Sequence, residues 1–134
     1  MEEMNVPGGK TKTVAVLIVD DQPPFRSAAR TVVGLTPGFS VAAEAESGEQ
    51  AVALALARRP DLVLMDINLP GISGFEATRR IKAARPETVV ILLSTYAAAD
   101  LPENPQACGA VAYVHKEDFG PAVVRDLWEH AGRQ

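Results

Sequence analysis

Leu62-Val63-Leu64-Met65-Asp66-Ile67-Asn68-Leu69-Pro70-Gly71 is the stretch whose reading decides the fold. Four apolar residues end in a carboxylate, and a Pro-Gly turn follows at once. Three more apolar runs end in polar groups. Val14–Val19 delivers Asp20-Asp21, Val89–Leu93 delivers Ser94, and Val111–Val114 is followed by Lys116. Continuous apolar runs of this length are expected of parallel strands covered on both faces. In an open parallel sheet, ligands bind at the carboxyl ends of the strands. The chain therefore places three acids, a hydroxyl and a cation on one edge.

Between these runs the pattern changes to helical spacing. Phe25, Ala28, Ala29, Val32 and Val33 form one stripe, broken by Thr36-Pro37-Gly38. A weaker strand is expected over Val41–Ala45. Ser47-Gly48-Glu49-Gln50 reads as a capping box that opens a helix to about Arg59, with Val52, Ala55 and Leu56 inward. Ser73-Gly74-Phe75-Glu76 reads as a second box, with Phe75, Thr78 and Ile81 inward and Pro86 closing the helix. Val123, Val124, Leu127, Trp128 and Ala131 form the stripe of the last helix. Alternation of this kind predicts an α/β fold with a doubly wound, five-stranded parallel sheet. Pro102 and Pro105 fall where a fourth helix is expected. Each removes a hydrogen bond and clashes with the preceding turn, so that helix should be absent or one short turn.

The chain has 134 residues, 47% of them hydrophobic, enough for one domain with a real core. Residues 1–12 are polar and read as a disordered tail preceding a domain over 13–134. Gly9-Lys10-Thr11 is not a phosphate-binding P-loop, because the required earlier glycine is Met4 and the segment precedes a strand. A net charge of −4 argues against direct nucleic-acid binding by this chain. No apolar run reaches transmembrane length, and the N-terminus has no apolar signal core. A soluble cytoplasmic protein is the expectation. The single cysteine, Cys108, fits a reducing compartment and reads as a small buried residue at a helix end.

With strand order 2-1-3-4-5, the first and third strands are neighbours, and Asp20, Asp21 and Asp66 converge. One close carboxylate pair costs about 4 kcal/mol at an effective dielectric of 20. Such a pocket protonates, opens or takes a cation, and an all-oxygen set favours Mg²⁺. A carboxylate can also attack a phosphoryl donor, with the Ser94 hydroxyl and Lys116 ammonium receiving the transferred oxygens.

These residues resemble the receiver domain of two-component response regulators. The likeness rests on Val16-Leu17-Ile18-Val19-Asp20-Asp21, on Asp66 with Asn68-Leu69-Pro70-Gly71, on Ser94, and on Gly109-Ala110 through Lys116. It covers roughly residues 13 to 131. The resemblance implies a flavodoxin-like fold with Asp66 as phosphoacceptor. It implies Mg²⁺ held by Asp21, Asp66 and the Asn68 carbonyl, with Asp20 acting through water. Ser94 and Lys116 would bind the phosphoryl group, and Tyr113 falls at the family's aromatic switch position. The implied partners are a sensor histidine kinase and an unknown downstream protein. Such a chain is no enzyme beyond self-catalysed phosphoryl transfer and autodephosphorylation. The local pattern is similar to a single-domain regulator or to the receiver of a helix-turn-helix transcription factor.

Two departures stand out. Thr95 follows Ser94, where the family usually has alanine or glycine, and could crowd the phosphate entrance. The broken fourth helix should weaken pairing, leaving a monomer or weak homodimer. A haloacid-dehalogenase-type phosphatase would need an acid two residues after Asp66, where Asn68 stands. A pseudo-receiver that binds partners constitutively is the alternative reading.

Overall fold

The computed structural model of the chain describes residues 13–97 and 100–132. The tail expected over residues 1–12 lies outside the described residues. Five strands form one parallel sheet in the order β2-β1-β3-β4-β5. They are β1 (Val14–Val19), β2 (Phe39–Ala45), β3 (Leu62–Asp66), β4 (Val89–Ser94) and β5 (Ala112–His115). Among the described residues the α-helices are α1 (Pro23–Gly34), α2 (Gly48–Arg58), α3 (Gly74–Ala84) and α4 (Pro121–Ala131).

The unbroken apolar runs divide by strand alternation into two cores. Leu17, Val19, Val63, Met65, Val90 and Leu92 face one way, onto Ala51 and Ala55 of α2 and Phe75, Ala77 and Ile81 of α3. Val16, Ile18, Leu62, Leu64, Ile91 and Leu93 face the other way, onto Ala29 and Val33 of α1 and Val124 of α4. All five residues of β3 are buried, which fits its central place. The sheet is thus doubly wound.

Several boundaries differ from the sequence reading. β2 begins at Phe39 instead of Val41, because Phe39 and Ser40 pair with Val14 and Ala15, and the Phe39 ring packs edge-on against Trp128 with centroids 6.2 Å apart. Its ladder with β1 shifts between Val16 and Leu17, so Ala42 is skipped, and the Ala42 carbonyl accepts from Arg58 instead. β5 is displaced by one residue, to Ala112–His115. β3 and β4 each run one residue further, so Asp66 and Ser94 are themselves ladder residues, opposite Leu93 and His115. In α2 the buried stripe is Gly48, Ala51 and Ala55, whereas Leu56 is exposed. The smaller residues let that helix lie close to its neighbours, and the larger side chain falls on the outer side.

Both serine caps form. Ser47 accepts from the Gln50 N–H and Ser73 from the Glu76 N–H, each at 3.1 Å. Neither box closes reciprocally. The Gln50 side chain accepts from Glu46 N–H, and Glu76 pairs with Arg79 and Arg80. Between β4 and β5, Pro105–Cys108 forms a 3-10 turn capped by Asn104, and Asp100–Asn104 contains no α-helix. Pro105 takes the first position of that turn, where its missing N–H costs nothing. Cys108 is buried there, its thiol donating to the Pro105 carbonyl.

One close approach fixes how α3 meets β3. A Cβ on Gly74 would stand 2.2 Å from the Asp66 carbonyl oxygen and 2.9 Å from Ile67 Cα. The Gly74 N–H also donates to the Ile67 carbonyl at 2.9 Å. Neither obstacle is a flexible side chain, so backbone must move. Gly74→Ala is expected to lose about 2–3 kcal/mol, the upper part of the range for overpacking. Urea denaturation of the variant checks this, and a loss below about 0.5 kcal/mol would contradict the packing argument.

Candidate functional site

Parallel strands deliver their carboxyl ends to one edge, and the loops leaving them form a cleft of about 300 Å³. Its walls are Asp21, Gln22, Asp66, Asn68, Ser94, Thr95 and Lys116. Asp20 lies at its base, 1% exposed. Carboxylate oxygens of Asp20, Asp21 and Asp66 all lie within 4.8 Å of one another. The Lys116 ammonium sits 2.7 Å from Asp20 Oδ2 and 3.6 Å from Asp66 Oδ2. A hollow of about 360 Å³ at the opposite edge is larger, but its lysine, Lys82, is already spent on the Pro86 and Thr88 carbonyls. Chemistry rather than volume singles out the acidic cleft.

The acids are not equivalent. Both oxygens of Asp20 are engaged, Oδ1 by the Gln22 N–H at 2.8 Å and Oδ2 by Lys116. The Asp20 carbonyl accepts from Arg26, which ties the acid to α1. Asp66 has a long contact from the Asn68 N–H at 3.4 Å and the more distant side of Lys116. Burial, then the neighbouring Asp20 charge, push the Asp66 carboxyl up to about 6, with Lys116 and the Asn68 N–H opposing. Three carboxylates facing one ammonium leave a surplus of negative charge around oxygen donors only. That donor set fits a hard divalent cation such as Mg²⁺.

Ser94 is 2% exposed, and its Oγ accepts from the Tyr96 N–H at 3.0 Å. That bond uses a lone pair and not the hydroxyl proton. Thr95 is exposed on the cleft wall. Tyr113 does not line the cleft. It is half-buried against the α2–α3 core, and its hydroxyl meets the carbonyls of Tyr96 and, at 3.4 Å, Ser94. His115 is also turned away, accepting from the Glu117 N–H.

Four residues at the site escaped the sequence reading. The Asn68 side-chain amide donates to the Tyr96 hydroxyl at 3.1 Å, bridging the loops after β3 and β4. Gln22 supplies both a wall of the cleft and the N–H on Asp20. Glu49, read only as part of a capping box, accepts from the Ile72 N–H and packs where a Cβ on Gly71 would stand 2.4 Å away. Gly71 has φ +78, a left-handed conformation that favours glycine. Phe25, read only as core, lies beneath the Lys116 ammonium. None of these contacts carries a signal in periodicity or strand-end position.

Residues 16–126 match the family described as the response regulator receiver domain. The chain belongs to that family. Among curated relatives, the transcriptional regulatory protein DegU of Brevibacillus brevis is 34% identical over 111 residues, covering 83% of this chain and 47% of that protein. Response regulator UvrY of Escherichia coli is 36% identical over 103 residues, covering 77% of this chain and 47% of UvrY. The chain thus spans about half the length of these relatives. Among solved structures, a LuxR-family two-component response regulator from Aurantimonas sp. superposes with a TM-score of 0.81 at 30% identity, covering 92% of this chain and 88% of that one. A LuxR-family DNA-binding response regulator from Staphylococcus aureus gives 0.77 at 26% identity, covering 88% and 98%. The receiver's fold is the CheY-like, flavodoxin type. No helix among its described residues is long and apolar enough to cross a membrane.

The raised Asp66 carboxyl has a measurable consequence. The folded receiver holds this proton up to about pH 6, the unfolded chain only to about 3.8. Folded protein therefore binds more protons between those values, and stability falls as pH rises through that window. The penalty, complete above about pH 6, is at most about 3 kcal/mol from a shift of about two units. Asp66→Asn removes it. In metal-free buffer the variant is expected to exceed the parent by about 2–3 kcal/mol at pH 7.5, with the gap closing towards pH 4. Urea denaturation at several pH values measures the difference, and a gap that does not change with pH would contradict the electrostatic account.

Proposed function

We propose that the receiver accepts a phosphoryl group on Asp66 from a sensor histidine kinase, in a Mg²⁺-dependent reaction, and thereby switches a partner-binding surface. The observation that carries this is the convergence of Asp20, Asp21, Asp66, Ser94 and Lys116 on one cleft. An Asp66 carboxylate oxygen attacks phosphorus, the bond to the donor nitrogen breaks, and the departing imidazole keeps the electron pair and takes a proton. The product is an acyl phosphate. Lys116 and the Ser94 hydroxyl are placed to receive two of the transferred oxygens. Lys116 would leave part of its hold on Asp20 to do so. Bound Mg²⁺ would be held by Asp21, Asp66 and the Asn68 carbonyl, with Asp20 acting through water, and would offset the negative charge that builds up on transfer.

The same geometry supports a route outward. If the Ser94 side chain rotates to carry its Oγ to the phosphoryl group, the oxygen leaves the Tyr96 N–H that it now accepts from. Tyr96 is joined in turn to Asn68 and to the Tyr113 hydroxyl. The loop after β4 and the outer face of β5 would then move together. Thr95 stands exposed at the cleft mouth, where its side chain would meet the incoming group. The receiver is read as a phosphoacceptor and not as a turnover enzyme, acting in the cytoplasm on an unknown downstream protein without touching nucleic acid itself. The 3-10 turn at Pro105–Cys108, in place of a regular helix, supports a monomer or weak homodimer.

Acetyl phosphate with Mg²⁺ is expected to label the protein with acid-labile phosphate. Asp66→Asn and excess EDTA should each abolish labelling. Mg²⁺ at a hundredfold excess over its dissociation constant should stabilise the fold by about 2.7 kcal/mol. Labelling of Asp66→Asn at the parental rate would remove Asp66 from this role. An unlabelled parent that ignores Mg²⁺ would leave the constitutive interaction module as the better reading.

A further inference from the structure

The Lys116 ammonium has two sides. One faces Asp20 and Asp66, and on the other its Nζ lies 4.4 Å from the centroid of the Phe25 ring. Phe25 stands in the first turn of α1, just after the prolines at positions 23 and 24. Its ring packs against Phe119, centroids 5.7 Å apart and planes tilted by 43°. Phe119 follows the 3-10 turn Lys116–Asp118 and donates its N–H to the Lys116 carbonyl. The aromatic pair therefore braces the turn that carries the lysine.

The Lys116 side chain is only 14% exposed. An ammonium so far out of water needs electrostatic support on every side. A further carboxylate would supply it but would compete with an incoming anion. An aromatic face attracts the cation through its quadrupole and leaves its donors uncommitted. Phe25 also lines an apolar hollow beside the cleft, sharing Gln22, Thr95 and Lys116 with it. We infer that Phe25 is a positioning residue for phosphoryl recognition, holding the Lys116 ammonium at the cleft by its ring face. This rests on the phosphoacceptor reading of the site.

The test uses the full chain with Phe25→Leu, Phe25→Tyr and Phe25→Trp, each measured well below its melting temperature. The probes are beryllofluoride in saturating Mg²⁺, and Mg²⁺ alone. Phe25→Leu keeps an apolar side chain but loses the ring, and is expected to weaken beryllofluoride binding about three- to tenfold. Mg²⁺ affinity should stay within about twofold, because the ring touches the lysine and not the acids. Phe25→Tyr should bind beryllofluoride as the parent does, and Phe25→Trp no worse than Phe25→Leu. In the proton spectrum, the Lys116 Cε methylene should carry an upfield ring-current shift in the parent and in Phe25→Tyr, lost in Phe25→Leu. Parental beryllofluoride affinity in Phe25→Leu, an equal loss in Phe25→Tyr, or a parallel loss of Mg²⁺ affinity would overturn the inference. A parent that takes no beryllofluoride would instead overturn the phosphoacceptor reading and this inference with it. That failure is told apart because no variant would then differ from the parent, while the methylene shift would still report the ring above the lysine.

Discussion

Three carboxylates held within 4.8 Å of one another, with a single ammonium among them, are the constraint on which the rest of this receiver depends. Left to itself, the cluster would push its loops apart. It persists because the acids are anchored at the ends of two adjacent, buried strands, Asp20-Asp21 after β1 and Asp66 at the end of β3. Asp66 ends the fully buried β3, Asp20 follows β1 with both oxygens engaged, and α1 reaches back through Arg26 to the Asp20 carbonyl. Packing supplies the restoring force, since hydrophobic burial on both faces of the sheet is not negotiable by one residue at its edge. The raised Asp66 carboxyl reflects its burial first and the neighbouring Asp20 charge second, which Lys116 only partly opposes.

The loops around the cleft are bound by a second layer of contacts. Glu49 at the start of α2 holds the Ile72 N–H, and Gly74 lets α3 approach the Asp66 carbonyl. The Asn68–Tyr96 bond crosses from one strand-end loop to the next. Tyr113, although outside the cleft, is linked to it through the carbonyls of Ser94 and Tyr96. A change at Ser94 therefore has contiguous partners on the β5 side. Contiguity supplies a path, and the energetic coupling along it is what mutants of Tyr96 and Tyr113 would measure.

Among the described residues between β4 and β5, the stretch from Asp100 to Gly109 departs from a regular helix for a local reason. Pro102 and Pro105 cannot both occupy the first position of one helix. The segment is instead secured by Leu101 against the α2–α3 core, by Arg79 paired to Glu103 at 2.7 Å, and by the turn ending at Gly109. Two of these anchors lead to α3, the helix that follows the acidic loop. The face beside β5 is thereby shaped by side-chain anchors where helical hydrogen bonds would otherwise hold it.

The sequence by itself determined the fold class and the edge on which the chemistry-bearing residues collect, while the strand order 2-1-3-4-5 entered as a condition that the family resemblance supported and the sheet bears out. Apolar runs, helical stripes and breakers are local signals, and parallel strands necessarily carry their ends to one side. The proline positions likewise announced the missing helix, because a proline's effect is local. Tertiary structure alone decided the rest. Leu56 was read as buried, yet the helix rotated its small residues inward, since the fit to the sheet and α3 outweighs side-chain hydrophobicity at one position. Phe39 joined β2 through its pairing with Val14, with its ring packed on Trp128, far away in sequence. That Asp20 rather than Asp21 takes the Lys116 ammonium was invisible in sequence, where the two are neighbours. Which one turns to Lys116 depends on the end of β1 and the course of α1. The contacts of Tyr96, Glu49 and Phe25 with the site were equally unreadable, since each joins residues 23 to 91 positions apart and only the folded chain brings them within reach.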